Sequence, residues 1–378
     1  VGGQSVRAVS RLGGDTVLFH QTARGGFTTL AGGGNVPARY TSDLWVAGGY
    51  AYTGTWGFRS ATGNVLYVWD VSSGVVLVDS VVVDSVGTIS DDEVSADGTL
   101  LLVTGEYGAR SGLFVYSLAD PAHPALVGFE RLGGNGLHTG TFADIDGERY
   151  VFAARDPGAP ALMVYRIQPD SADPIAPVAT VGQPANYGIH DTYVREGLAF
   201  VSDWNTGLRI YDVGDGRAGG SPAAPQLVGS VVTSSSGLSC NCVHNAWWYH
   251  APDGDRRYVF VGQEGPGSVG SSSSGDIHVV DVSDMAHPEE VARYHLGGAG
   301  THNFWVDESR GILYAAYYNG GVVALDITGT LRGDLAAREI ARIQPGGAGS
   351  TYVWGVMLSG GTLWASDMLG GLWKLGVP

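Results

Sequence analysis

The sequence predicts an all-β chain closed into a seven-bladed ring of four-stranded blades, a β-propeller. Three observations predict it. The chain has 378 residues, with 44% hydrophobic and 15% charged residues and 60 glycines. That is enough apolar material for a large core, interrupted by many tight turns. Short apolar or alternating runs recur throughout, and no segment keeps the 3.6-residue spacing of a helix. Finally, one unit of about 45–60 residues recurs seven times, and units that bury their faces only against neighbours stack into solenoids or rings.

The repeat is clearest in its third strand. "GLRIYDVGDG" (207–216) matches "VLYVWDVSSG" (65–74), "GLFVYSLADPAHP" (112–124), "ALMVYRIQPDSADP" (161–174), "DIHVVDVSDMAHP" (276–288) and "GVVALDITG" (321–329), with a shorter copy "GLWKLGVP" at 371–378. A second strand precedes each, as in "LAFVSD" or "YVFVGQ", and a fourth follows, as in "PQLVGSVV" or "EEVARYHLGG". Blades are expected to start near Thr41, Asp84, Asn135, Gln183, Ser235, Ala299 and Ala348, within one domain over 1–378. The last unit stops after three strands. The N-terminal run "SVRAVSRLGG" (5–14) resembles a fourth strand and is expected to close the ring, which removes the open edges. Residues 15–40 are then an extra hairpin or loop, a candidate contact between subunits.

Composition excludes some functions. The formal net charge is −16 and Lys374 is the sole lysine. Nucleic-acid binding needs a basic face that this chain lacks, and an anionic membrane surface is disfavoured for the same reason. No apolar run approaches the roughly 20 residues that span a bilayer. The low lysine content, the start at Val1 and the Gly/Ser-rich loops lead to the expectation of a processed, exported protein, extracellular or at the cell surface, with the periplasm as an alternative. The Ser clusters at 233–239 and 267–276 read as flexible loops and as candidate O-glycan sites.

The stretch "HDTYVREGLAFVSDWNTGLRIYDVGD", together with "SLADPAHPALVG", "DVSDMAHPEEVA" and "THNFWVDESRGILYAAYYNGGVVALDITG", resembles the LVIVD-repeat β-propellers of bacteria and archaea. The resemblance covers roughly 41–378. It implies a propeller in a secreted or surface-exposed protein and names no activity.

Candidate chemistry gathers at the start of the innermost strands. His138, His190, His244 and His302 begin this strand in four consecutive units, where Ser42, Asp91 and Trp354 stand in the others. The next residue is often acidic or amide: Asp43, Asp92, Asp191, Asn245, Asn303. Second strands end on the same face with Glu106, Asp203, Glu264 and Asp367. Convergent imidazoles with carboxylates behind them suit a transition metal. The competing reading is a latch, one imidazole per blade bonding to neighbouring backbone. Ring diameter counts against four histidines touching a single ion, since ligand distances near 2 Å are unforgiving. In "CNCVH" (240–244), Cys240, Cys242 and His244 share one side of an extended strand. They form a disulfide, two free thiols, or a copper or zinc site. Acidic turns at 144–148 and 281–290 are weak calcium candidates. Trp45, Trp56, Trp204, Trp247, Trp248, Trp305, Tyr318 and Trp354 serve inter-blade packing or stack on a ligand.

Three functions follow. The leading expectation is a non-catalytic surface propeller, a scaffold for protein or glycan partners or for self-assembly, requiring no cofactor. The second is a copper, iron or zinc protein, with oxidoreductase activity as its extension, using His138, His190, His244 and His302. The third is a carbohydrate-active propeller with two carboxylates roughly 5–10 Å apart.

Overall fold

The computed structural model describes residues 26–156, 159–183, 188–235 and 237–378. Its strands form seven antiparallel sheets, each containing four strands in meander order, apart from an exchange at the last blade. Innermost strands are Tyr40–Ala47, Thr88–Val94, Thr139–Ile145, Ile189–Arg195, Val243–Tyr249, Phe304–Asp307 and Val353–Ser359. They begin near or a few residues after the expected blade starts, because the incoming connections belong to the units as well. Blade 5 carries an added edge strand, Gly333–Asp334, parallel to Glu289–Tyr294.

Seven apolar clusters hold the ring, one at each junction between blades. Tyr52, Leu66 and Val68 of blade 1 pack on Leu101, Val103 and Phe114 of blade 2. The junction that closes the ring is of the same kind: Leu44, Val46 and Trp69 of blade 1 meet Met357, Trp364 and Leu372 of blade 7. Each cluster consists of alternate residues from two facing sheets, which is why the strands read as nearly continuous apolar runs.

The ring closes through an N-terminal strand, as expected, but through Thr28–Gly32. This strand pairs antiparallel with Gly371–Gly376, from Thr28 opposite Gly376 to Gly32 opposite Trp373. The edge position expected for 5–14 is therefore occupied by part of the segment read as an extra hairpin. Residues 5–14 lie outside the described residues. Gly33 follows with φ +77°, and a Cβ there would fall 2.0 Å from the Trp373 ring. Glycine is the residue that fits both demands.

The aspartate of the repeated third strand has a structural role. Oδ1 of Asp70, Asp212, Asp281 and Asp326 accepts the backbone N–H two residues on, at 2.9–3.0 Å. Ser117 Oγ accepts the equivalent N–H in blade 2. Each is a side-chain turn that ends the strand. Among the described residues no helix is long and apolar enough to cross a membrane.

Candidate functional site: a histidine layer on the channel axis

In four of the blades a bulge places one residue at the entrance of the channel. Pairing with the second strand skips a residue between Ile89 and Asp91, Ile189 and Asp191, Val243 and Asn245, and Val353 and Gly355. The skipped residues are Ser90, His190, His244 and Trp354. The blade 2 counterpart of His190 is thus Ser90, not Asp91, and Asp91 matches Asp191. His138 and His302 stand at the corresponding place just before their strands.

The four histidines converge as expected. Ring centroids stand 4.1 Å apart for His138 and His190, 4.7 Å for His190 and His244, and 4.0 Å for His244 and His302. All four are buried. His138 Nε2 lies 3.1 Å from His190 Nε2, and His244 Nε2 lies 3.1 Å from His302 Nε2. Behind them, His138 Nδ1 meets Glu106 at 3.1 Å and His190 Nδ1 meets Asp156 at 2.8 Å. Asn245 stands beside His244 and the Trp354 carbonyl beside His302. Glu264 completes the group, its Oε2 3.6 Å from His190 Nε2 and 3.9 Å from His244 Nε2. Tyr318 donates its hydroxyl proton to the other Glu264 oxygen.

The latch is carried by other groups. Hydroxyls of Ser42, Thr104 and Thr139 donate to the carbonyls of Ile89, His138 and His190 in the next blade. Asp91 and Asp92 accept the N–H groups of Gly140 and Gly54. His138, His190 and His244 instead meet carboxylates, and His302 meets the His244, Tyr318 and Trp354 rings. Two of the four expected second-strand carboxylates, Glu106 and Glu264, join them. Asp203 is held by Arg209 at 3.0 Å, and Asp367 accepts the N–H groups of Tyr352, Leu369 and Gly370, so both shape turns. Asp156 joins the site unforeseen. It lies just past the second strand of blade 3, in "RDPGAP".

Electrostatics set His138 apart from the other three rings. Burial, and then the neighbouring imidazoles, hold His190, His244 and His302 well below the ordinary histidine value. Burial also opposes a charge on His138, yet Glu106, Asp156 and Glu264 outweigh it and raise that ring to about 9. Burial pushes Glu264 up to about 7 and Asp156 up to about 6.

The next layers line a channel cavity of about 290 Å³. Asp43, Asp91, Glu93 and Asp191 line it with Trp45, Tyr193, Trp247 and Trp305, and no basic residue is among its lining residues. Trp248 instead packs between blades 4 and 5. A cluster of Tyr318, Tyr352, Trp354 and Met368 packs against His302, and Tyr40, Trp56, Val269 and Leu369 complete it. The Ser-rich run expected to be a loop is one, and it crosses from blade 5 to blade 7: the Gly267 N–H and carbonyl both meet the Tyr352 hydroxyl at 3.2 Å.

Cys240 and Cys242 form a disulfide. The alternation read in "CNCVH" fails because Cys242 has φ +51° and the strand begins at Val243. The sulfurs are bonded to each other and take no part in the histidine layer. The backbone here still matters to it, since the Cys242 carbonyl accepts the Glu264 N–H at 2.9 Å. The weak calcium candidates are turns: Asp144 pairs with Arg149, and Asp281 and Asp284 cap backbone N–H groups.

Fold and site together define a seven-bladed β-propeller with a polar cluster on its axis. Its chain carries LVIVD repeats, matched at residues 38–58, 190–233 and 272–295. These are the inner strands of blade 1, nearly all of blade 4, and the outer half of blade 5. Among curated proteins no sequence matches the chain. Among solved structures it is similar to the C-terminal WD40 domain of Sif2, at 13% identity and a TM-score of 0.56 over 89% of this chain and 81% of that one. At that identity the likeness concerns the fold alone.

Proposed function

We propose that this propeller is a metal-binding protein whose transition-metal site is the histidine layer. The proposal takes up the second of the sequence expectations. One observation carries it: paired Nε2 atoms face each other at 3.1 Å while carboxylates hold the Nδ1 atoms of His138 and His190. A ring that donates Nδ1–H to a carboxylate turns a lone pair outward at Nε2. Two such lone pairs in contact call for a cation between them, and a proton or a metal ion fills that need. Neutral imidazole with carboxylate support suits zinc, copper, iron or nickel. The low lysine content and the short disulfide support an exported setting.

Equilibrium dialysis of chelator-stripped protein against zinc tests the reading. Wild type should retain zinc after desalting, and His190→Ala with His244→Ala should retain none while keeping the β-sheet circular dichroism. Retention by the double variant equal to wild type would overturn it.

A scaffold role has one observation in its favour. The outer strand of blade 1 exposes Val76, Leu77, Val78 and Val82, an apolar edge of the sort other chains pair with. A Val76→Lys, Val78→Lys variant should elute with a smaller apparent mass than wild type if that edge mediates assembly. Identical elution would remove this reading.

A further inference from the structure

We infer that the histidine layer holds two metal ions, one on His138 and His190 and one on His244 and His302, with Glu264 as a ligand shared between them. This rests on the metal-site reading above and adds the number and arrangement of ions.

Distances divide the four rings into two pairs. Nitrogens bound to one ion at about 2.0–2.1 Å stand roughly 2.9 Å apart at a right angle and roughly 3.4 Å apart at the tetrahedral angle. The 3.1 Å within each pair falls between these values. The gap between pairs is wider, with 4.7 Å between the centroids of His190 and His244 against 4.1 and 4.0 Å within pairs. Four rings arranged along an arc of the channel thus fit two ions better than one.

Glu264 occupies the gap. Its Oε2 is almost equally far from the inner nitrogen of each pair, 3.6 and 3.9 Å. Those lengths are somewhat longer than the ligand-to-ligand spacing around one ion, so a small shift brings the carboxylate onto either metal. Tyr318 holds the other oxygen, and the Cys242 carbonyl holds the Glu264 N–H. The carboxylate is therefore fixed in place between the pairs.

Charge points the same way. Two divalent ions a few ångströms apart repel strongly in a buried site. Glu264 between them, with Glu106 and Asp156 behind the first pair, sets three carboxylates against that repulsion. Each ion would have two imidazoles, with Glu264 in reach of the inner ring of each pair, His190 and His244, leaving positions open for water or substrate, as in two-metal sites that act on oxygen-containing substrates.

Calorimetric titration of chelator-stripped protein with zinc is the experiment. Two ions per wild-type chain and one per His302→Ala chain are expected, because that variant dismantles a single pair. With two equivalents of copper(II), the paramagnetic resonance spectrum should show coupled ions in wild type. Glu264→Gln, which keeps an acceptor for Tyr318, should weaken the second zinc at least tenfold. One zinc per wild-type chain, or copper spectra of isolated ions, would overturn the two-ion inference and leave the metal-site reading standing. No zinc at all would overturn both.

Discussion

His138 and His190 come from consecutive blades and face each other through Nε2 atoms 3.1 Å apart, with Glu106 behind one ring and Asp156 behind the other. A repeat latch would not need this arrangement, since hydroxyls of Ser42, Thr104 and Thr139 already tie the blades together. The relationship separates carboxylates that orient imidazoles from carboxylates that shape turns.

Asp156→Asn and Asp203→Asn should therefore differ. The first removes the charge that orients His190, and loss of such a partner costs about 10–100-fold in metal affinity. The second loosens the turn held by Arg209, lowering the melting temperature with little change in affinity. Zinc titration and thermal denaturation of both variants check this. Equal effects on affinity would contradict the assignment.

The acidic channel makes stability depend on pH. Burial and the nearby Asp91 raise Glu93 to about 8, against about 4.3 for an unfolded glutamate. The folded state then holds more protons than the unfolded state between those values, and stability falls as pH rises from about 4 to about 8. Glu290 acts oppositely. Despite burial, His278 and Ser234 lower it to about 2, so its contribution is lost as pH falls below about 4. Between about pH 4 and about 8 the Glu93 contribution should lower the melting temperature as pH rises. Glu93→Gln should flatten that fall, and an unchanged slope in that variant would contradict the account.

Loss of the Cys240–Cys242 disulfide should affect the metal site more than the fold. A loop this short contributes only about 1.5 kcal/mol by chain entropy. The Cys242 carbonyl, however, positions the Glu264 backbone. A Cys240→Ser, Cys242→Ser variant should keep the circular dichroism intact and bind zinc several-fold more weakly, as read by a chromogenic chelator. Unaltered affinity would break the link between the disulfide and Glu264.

The ring closure is tested at two adjacent glycines. Gly33 and Gly34 both have positive φ, but a Cβ on Gly33 meets the Trp373 ring while one on Gly34 meets nothing within 4 Å. Either alanine costs about 1–2 kcal/mol for the left-handed backbone. Gly33→Ala should cost clearly more, because it also pushes Trp373 from the closing strand. Equal denaturation midpoints would contradict the observed closure.

Much of this was legible in the sequence, for physical reasons. Short strands facing neighbours on both sides produce the apolar repeats, and the histidines share one place in four copies of the unit. Three features were hidden. Asp156 follows its strand in a run that reads as a plain loop, although Glu106 and Glu264 at comparable places in blades 2 and 5 were a usable signal. The closing strand was misplaced because "FTTLAGG" (27–33) and "SVRAVSRLGG" (5–14) carry the same apolar-then-Gly pattern, and pairing is decided by tertiary fit. The shared side expected for Cys240, Cys242 and His244 depended on an extended Cys242, which its φ of +51° rules out.

Elemental mass spectrometry on protein isolated without chelator tests the central claim most directly. The account predicts stoichiometric transition metal, lost when His190 and His244 are both replaced by alanine. A wild-type protein that carries no transition metal and takes up none when zinc is supplied would contradict it.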